Sequence, residues 1–95
     1  MSFLARFRRK KEDPEVVRRR VLLQRGRIGE ANVIEITKDG DGNTMLAYSY
    51  TVGGVDYQAF QRLDDEQLRR AHDYFPDARV DLRYDPKRPV NSFVV

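Results

Sequence analysis

The clearest hydrophobic pattern lies in the middle of the chain, where apolar and polar residues alternate. The residues of the apolar face are Leu46, Tyr48, Tyr50 and Val52. A period of two over this length predicts a β-strand with one buried face. Gly53 and Gly54 follow, a pair that suits a two-residue turn, and the alternation resumes over residues 55–59. The pattern therefore predicts a hairpin.

A further strand is predicted ahead of this hairpin, but its alternation is irregular. Ala31 and Val33 fall on one face, whereas Ile34 and Ile36 fall on the other. A slip of one residue within a strand predicts a β-bulge or a bend. Residues 39–43 contain only Asp, Gly and Asn, which favour turns, so we expect them to connect this strand to the next.

Two more strands are predicted near the C-terminus. Residues 80–84 alternate apolar and charged side chains, and residues 90–95 form the last strand. The segment between them, residues 85–89, contains two prolines and begins with Asp85. We expect the Asp85 carboxylate to cap this turn by accepting a backbone hydrogen bond from two residues further on.

Capping residues predict a first helix over residues 14–25. Asp13 supplies an N-cap, Pro14 suits the first helical position, and Glu15 places an acid in the first turn. Gly26 is the residue type that most easily ends a helix in the left-handed conformation, so we expect the helix to stop there.

A capping box predicts a second helix, over residues 64–75. Asp64 is the N-cap and Gln67 completes the box, with Leu63 expected to pack on Leu68. Apolar spacing at i, i+3, i+4 and i+7 then predicts one buried stripe. The residues of this stripe are Leu68, Ala71, His72 and Phe75.

The order of elements predicts an α+β fold. We expect a five-stranded twisted antiparallel sheet curling towards a small barrel, with an N-terminal helix and a helix between strands 3 and 4. A chain of 95 residues suits one domain, placed at residues 13–95 after a basic flexible arm at residues 1–12. The predicted core contains Val33, Ile34, Leu46, Tyr48, Tyr50, Val52, Tyr57, Leu63, Leu68, Phe75, Val80, Leu82 and Tyr84.

Charge is unevenly distributed along the chain. Residues 1–27 contain ten Arg or Lys and three acids, whereas residues 28–95 contain eight basic and twelve acidic residues. A basic segment ahead of an acidic body favours an anionic partner, such as a lipid headgroup, a phosphate backbone or an acidic protein. The bias of a genome towards arginine codons is the simpler explanation of the composition.

The arm is the candidate partner-binding site. In a helix, Phe3, Leu4 and Phe7 would share one side among basic residues, a pattern typical of segments that lie in a membrane interface. The candidate partner-binding residues are Phe3, Leu4, Arg6, Phe7, Arg8, Arg9, Lys10 and Lys11. A solvated tail that only keeps the domain soluble is an alternative, and binding to nucleic acid or an acidic protein is another.

The sequence gives little support for catalysis. Without cysteine there is no thiolate zinc site, thiol nucleophile or disulfide. His72 has no second histidine to share a metal, so we interpret it as a partly buried structural residue. Asp39, Asp41 and Asn43 match the start of a calcium loop, but the required glycine and the final glutamate are missing. We expect no catalytic residue, cofactor, metal or small-molecule substrate.

Three local signatures resemble a known family. Gly26 precedes an Ala-x-Val strand, and Tyr48 begins a Tyr-x-Tyr-x-Val-x-Gly-x-x-Tyr hairpin. Val80 begins the last signature, which reads Val-x-Leu-x-Tyr-Asp-Pro-x-x-Pro-x-x-Ser. Over residues 20–95 the chain resembles the bacterial family catalogued as domain of unknown function 3592. The resemblance implies the fold and the positions of these signatures, and it implies no assigned chemistry.

The predicted function is a non-catalytic binding or adaptor module that recognises a protein partner or an anionic membrane surface through the arm. The alternative is single-stranded nucleic-acid binding by the arm and a strand face bearing Tyr48, Tyr50 and Tyr57. The same tyrosines would also suit a core. No apolar run is long enough to span a membrane, so we expect a cytoplasmic location, peripheral to the inner membrane face if the arm binds lipid.

Overall fold

The computed structural model describes residues 12–95, which form a curled five-stranded sheet with two helices. The elements are helix α1 (Pro14–Arg25), strands β1 (Arg27–Lys38), β2 (Thr44–Val52) and β3 (Val55–Arg62), helix α2 (Asp65–Arg69), and strands β4 (Arg79–Asp85) and β5 (Arg88–Val94). All pairings are antiparallel, in the order β3-β2-β1-β4-β5. The sheet nearly closes into a barrel, so the predicted α+β class, with five antiparallel strands and a helix between strands 3 and 4, is confirmed.

Helix α1 has the predicted limits, but it ends in an unexpected way. The Asp13 carboxylate accepts a hydrogen bond from the Glu15 backbone N–H at 2.8 Å. Gly26 is not left-handed: its φ of −74° and ψ of 161° carry the chain directly into β1. Glycine is needed for space instead, because a Cβ at this position would lie 2.5 Å from the Leu22 carbonyl oxygen.

The predicted irregularity in β1 is a β-bulge. The register between β1 and β2 shifts between Val33 and Glu35, which leaves Ile34 as the extra residue. Ala31 and Val33 are buried, and Ile36 packs against the core. Ile34 is 39% exposed, so its predicted place in the core is wrong. The bulge resets the alternation, and the core-facing positions therefore continue at Ile36 instead.

Two predicted turns are present with the expected chemistry. Gly53 and Gly54 both have positive φ, at 58° and 80°, and they connect β2 to β3 in two residues. This conformation is costly for residues with a side chain, which explains the glycine pair. In the β4–β5 turn, the Asp85 carboxylate accepts a hydrogen bond from the Lys87 backbone N–H at 2.9 Å.

Helix α2 begins as predicted and ends early. The Asp64 side chain accepts a hydrogen bond from the Gln67 backbone N–H, and the Gln67 side chain accepts one from the Asp64 N–H. The capping box is therefore confirmed. The α-helical part ends at Arg69, and residues 71–73 form a single 3₁₀ turn. The chain tightens after one and a half turns because the backbone N–H of Arg70 bonds to Gln67 three residues earlier.

Most of the predicted apolar stripe lies outside the core, including Leu68 within α2 itself. Leu68, His72 and Phe75 are exposed, and Phe75 is 60% accessible to solvent. Tyr74 is buried in place of Phe75. A 3₁₀ turn has three residues per turn instead of 3.6, so the rotation brings a different side chain inward. The predictions of Leu68 and Phe75 as core residues, and of a partly buried His72, are wrong.

The core lies inside the curled sheet. Its buried members are Ala31, Val33, Leu46, Tyr48, Tyr50, Leu63, Tyr74, Ala78, Leu82 and Val94. The predicted members Val52, Tyr57, Val80 and Tyr84 are partly buried and pack against this cluster. Neither helix in residues 12–95 is long and apolar enough to cross a membrane.

Candidate binding surface on the first helix

A single carboxylate organises the inner face of α1. Glu15 accepts two hydrogen bonds from the Arg18 guanidinium, both at 2.8 Å, and one from Arg19 at 2.7 Å. The hydrogen bonds from Arg18 lower the pKa of Glu15 to about 2, with help from Arg19, although partial burial opposes the change. Among the described side chains of α1, only Leu22 is buried. One buried leucine and a set of polar contacts therefore attach this helix to the sheet.

The two arginines bridge the seam where β3 and β5 approach each other. Arg18 donates to the Ser92 carbonyl oxygen at 2.8 Å and to the Asn91 side chain at 2.9 Å, both on β5. Arg19 donates to the Arg62 carbonyl oxygen at 2.7 Å, at the end of β3, and its guanidinium lies over the Phe93 ring. The guanidinium groups of Arg18 and Arg19 therefore point towards the barrel and form hydrogen bonds with it.

The sequence predicts α1 but not this cluster, which we name the Glu15 clamp (Glu15, Arg18 and Arg19). Its signal in the sequence is a glutamate followed by arginines three and four residues later, the spacing at which helical side chains meet. That spacing predicts the two ion pairs. It does not show that both guanidinium groups also bind backbone carbonyls of the sheet, because those contacts depend on the tertiary fold.

The outer face of α1 is apolar and basic. The exposed aliphatic residues of this face are Val16, Val17, Val21 and Leu23. Arg20 lies among them by helical spacing, and its guanidinium pairs with Glu12. Arg25 follows in the last turn and is exposed. Most helices on globular proteins place their apolar residues towards the core, so it is unusual that four of them remain 37–50% exposed on this helix.

The predicted site residues of the arm lie outside the described residues. They are Phe3, Leu4, Arg6, Phe7, Arg8, Arg9, Lys10 and Lys11. In sequence, this segment leads directly into α1. All fifteen acids and thirteen of the eighteen Lys and Arg belong to residues 12–95, which gives that part a net charge of −2 and residues 1–11 a net charge of +5.

The tyrosines of β2 face the interior of the barrel. Tyr48 and Tyr50 are buried, and the ring of Tyr50 stacks between those of Tyr48 and Tyr57 at centroid distances of 5.8 and 5.2 Å. Hydrogen bonds join the Tyr48 hydroxyl to Ser92 Oγ at 2.9 Å and the Tyr50 hydroxyl to the Pro89 carbonyl at 2.6 Å. Burial raises the pKa of both phenols. Neither buried ring offers an open platform for a nucleic-acid base.

The other polar residues considered as metal or catalytic candidates contact residues close to them in sequence. The Asp39 carboxylate accepts hydrogen bonds from the backbone of Asn43 and Asp41 and from the Asn43 side chain, and these bonds lower its pKa. His72 is exposed beside Asp73, with 3.4 Å between the imidazole and the carboxylate. Within residues 12–95, no three His, Asp or Glu side chains are grouped as metal ligands would be.

The residues that form the barrel match a known protein family. The family described as "Domain of unknown function (DUF3592)" matches residues 24–95, which include all five strands and α2. The arm and nearly all of α1 precede the matched range. No curated protein and no solved structure matches the chain. Because the match covers well over half of its residues, the chain belongs to the DUF3592 family.

Proposed function

We propose that this protein is a non-catalytic binding module that attaches to an anionic membrane surface through its basic N-terminal arm and the outer face of α1. One observation carries this proposal: α1 buries only Leu22 among its described side chains and leaves four aliphatic residues 37–50% exposed. A helix that only covered the barrel would turn those residues inward. Exposed apolar residues beside basic ones suit a membrane interface.

Charge supports the same surface. Residues 1–11 carry five basic side chains and no acid, and each basic residue near an anionic bilayer contributes about 1 kcal/mol. Stable attachment to a membrane usually needs an apolar contribution as well as a basic one. The four aliphatic side chains of α1 supply it next to the arm. The two segments supply the two contributions within residues 1–25, separated by residues 12–15.

The inner face of α1 fixes how this surface is presented. Arg18 and Arg19 bind Glu15 and the barrel, so the helix cannot rotate about its axis without breaking the Glu15 clamp. Residues 12–95 have a net charge of −2, and repulsion from anionic lipid favours an orientation with the barrel away from the bilayer. In this arrangement the arm and α1 hold a small acidic barrel at the membrane surface.

Vesicle sedimentation tests the proposal. Full-length protein is incubated with vesicles of phosphatidylcholine and phosphatidylserine, and with phosphatidylcholine alone, before centrifugation. We expect binding only to the anionic vesicles, and less binding by a chain that lacks residues 1–12. Val17→Gln combined with Val21→Gln should weaken binding about tenfold, because two valines lose about 1.5 kcal/mol of apolar contact. The matched control, Val55→Gln combined with Val90→Gln, alters two exposed valines of the barrel and should bind normally.

Several results would contradict the membrane proposal. Equal pelleting with neutral and anionic vesicles would show that binding does not depend on the charge of the lipid. Equal weakening by both pairs of valine substitutions would show that α1 has no specific role in binding. Absence of binding to anionic vesicles, combined with binding to a single-stranded oligonucleotide, would favour a nucleic-acid partner instead. Absence of both would leave an acidic protein partner, or a solvated tail that only keeps the domain soluble, as the role of the arm.

A further inference from the structure

The hydrogen-bonded ladder between β1 and β2 stops partway along both strands. Asn32 and Ser49 form its last pair, although β1 has five residues before Asn32 and β2 has three after Ser49. Continued in the same register, Glu30 would lie opposite Thr51, yet within residues 12–95 neither has a strand partner on that side. The first half of β1 pairs with β4 alone, so β1 and β2 diverge here.

The divergence has a structural cause in the barrel itself. The Tyr50 hydroxyl donates to the Pro89 carbonyl oxygen of β5 at 2.6 Å, and Tyr57 stacks on Tyr50. These contacts draw the far end of the β2–β3 hairpin towards β5 and away from β1. The curvature that brings the two edges of the sheet together therefore opens a space on the other side of β2.

Backbone groups of β1 line one wall of this space. The Val33 N–H donates to the Ala78 carbonyl oxygen at 2.9 Å, and the Val33 carbonyl accepts from the Asp77 N–H at 2.8 Å. Val33 thus directs both of its backbone groups towards the β4 side. Backbone groups alternate in direction along a strand, so those of Ile28 and Glu30 point to the opposite side, into the space.

Backbone groups of β2 line the other wall. Val52 and Val55 flank a two-residue turn, so they form a hydrogen-bonded pair, and alternation directs Thr51 away from β3 and towards β1. An independent contact supports this assignment. The Thr44 carbonyl oxygen accepts a hydrogen bond from the Leu63 N–H beyond the end of β3, so even-numbered residues of β2 face β3 and odd-numbered ones face β1.

Nine residues line this space; most of them are polar and uncharged, two carry a carboxylate and one carries a guanidinium. The cavity has a volume of about 650 Å³, within the range of ordinary ligand sites. Its charged residues are Glu30, Asp56 and Arg79. Arg79 lies 3.9 Å from Glu30, with both side chains largely exposed, and Asp56 accepts a hydrogen bond from Thr51 at 2.6 Å. Two carboxylates against one weakly paired guanidinium favour a basic ligand group.

We propose that this space, the β1–β2 gap (Glu30, Asn32, Ser49, Thr51, Asp56 and Arg79), accepts an extended basic peptide segment of a protein partner. The peptide would add to the free edge of β1, where main-chain hydrogen bonds supply affinity and side chains supply specificity. Ile28 and Glu30 share the outer face of β1, and Ile28 is 72% exposed. A peptide that fits this edge should therefore carry a basic side chain to meet Glu30 and an apolar side chain, two residues away, to meet Ile28. This site is separate from the membrane surface proposed above.

Nuclear magnetic resonance titration of the ¹⁵N-labelled full-length protein tests this site. The probe is the blocked peptide Thr-Lys-Thr-Val-Thr, and the control probe replaces its Lys with Glu. We expect the basic peptide to shift the amide resonances of Ile28, Glu30 and Thr51, and the acidic peptide to bind at least about tenfold more weakly. Glu30→Lys should reverse this preference. The matched control Glu35→Lys, on the same strand outside the gap, should preserve it.

The outcome is decisive even if one variant folds poorly. Asp56→Lys changes the second carboxylate of the gap and should also weaken binding of the basic peptide, with circular dichroism confirming the fold. Absence of shifts at Ile28, Glu30 and Thr51 up to millimolar peptide would overturn the proposal. So would equal affinity for the two probes, or an equal loss of affinity in the Glu35→Lys control. Vesicle binding is measured separately, so either proposal can fail alone.

Discussion

Tyr48 and Tyr74 occupy the same core, but their hydroxyl groups have different surroundings. The Tyr48 hydroxyl is hydrogen-bonded to Ser92 Oγ at 2.9 Å. The Tyr74 hydroxyl is buried without a hydrogen-bond partner among the described residues. Burial raises the pKa of both phenols, so both remain neutral at physiological pH. The native protein therefore already bears the free-energy cost of one unsatisfied hydroxyl, that of Tyr74. The Ser92 hydroxyl would bear such a cost only if Tyr48 were replaced.

Replacing each tyrosine by phenylalanine should have contrasting effects on stability. Tyr48→Phe leaves the buried Ser92 hydroxyl without its partner and should lower the free energy of unfolding by about 1–2 kcal/mol. Tyr74→Phe removes an unpaired hydroxyl and should leave stability unchanged or raise it by up to about 1 kcal/mol. Urea denaturation followed by circular dichroism measures both. An equal loss in the two variants would show that the Tyr74 hydroxyl has a stabilising contact.

The tyrosines also show what the sequence predicts well at this scale. The inward direction of Tyr48 and Tyr50 follows from alternation alone, because a regular strand fixes the side of each residue. Ile34 was assigned to the core on an irregular strand and Phe75 from helical spacing, and both are exposed. Ile34 is the extra residue of a bulge and Phe75 follows a 3₁₀ turn, and each of these changes in backbone geometry alters which side chains face the core. The hydrophobic periodicity therefore predicts that a bulge is present, but it does not predict which residues around the bulge remain in the core.

At the scale of elements, glutamine side chains close the seam between β3 and β5. The Gln61 side chain donates to the Val94 carbonyl oxygen at 2.9 Å and accepts from the Val94 N–H at 2.7 Å. Gln67 donates to the same carbonyl oxygen at 2.9 Å. Gln61 thus makes both contacts that a neighbouring strand would make. The sequence predicts five strands and their order of pairing in hairpins, but this closure depends on two edges meeting in space.

Removing the amide of Gln61 should weaken the barrel substantially. Gln61→Leu keeps a similar volume but leaves the buried Val94 N–H without a partner, so we expect a loss of about 2–3 kcal/mol in the free energy of unfolding. Gln58→Leu, an exposed position on the same strand, should change it by less than about 0.5 kcal/mol. Urea denaturation gives both values. Amide hydrogen exchange at Val94 should accelerate in the Gln61 variant alone, and equal exchange in both would refute this role.

At the scale of the whole molecule, the barrel and the first helix are joined by the buried Leu22 and by the charged contacts of Arg18 and Arg19. The limits of α1 follow from the sequence, because its caps are local. Its position across the seam does not follow, because apolar residues occur all round the helix and give no single face to bury. The Glu15 clamp decides the position instead, and the aliphatic residues remain outside. The proposed membrane surface is thus a consequence of which face binds the barrel.

Attachment of α1 should therefore depend on pH. The pKa of Glu15 is lowered from 4.5 to about 2, so its contribution to stability is complete above about pH 4.5 and is lost as the pH falls towards 2. Because the Glu15 side chain is about one-third exposed, solvent screens the pairs, and we expect Glu15→Gln to cost about 1 kcal/mol at pH 7. That cost should decrease as the pH falls through 3.5 and vanish only below about pH 2, where Glu15 is protonated in the native protein as well as in the unfolded chain.

Urea denaturation of the wild type and Glu15→Gln at pH 7, 3.5 and 2.5 measures this dependence. Glu35→Gln, which removes an exposed carboxylate of β1, is the control and should stay within about 0.5 kcal/mol of the wild type at pH 7. Hydrogen exchange should show faster opening of α1 than of the strands in Glu15→Gln, because the clamp holds the helix and the ladders hold the barrel. A stability difference that persists unchanged at pH 2.5 would mean that Glu15 acts through packing, and the helix would then be held by contacts other than its charge.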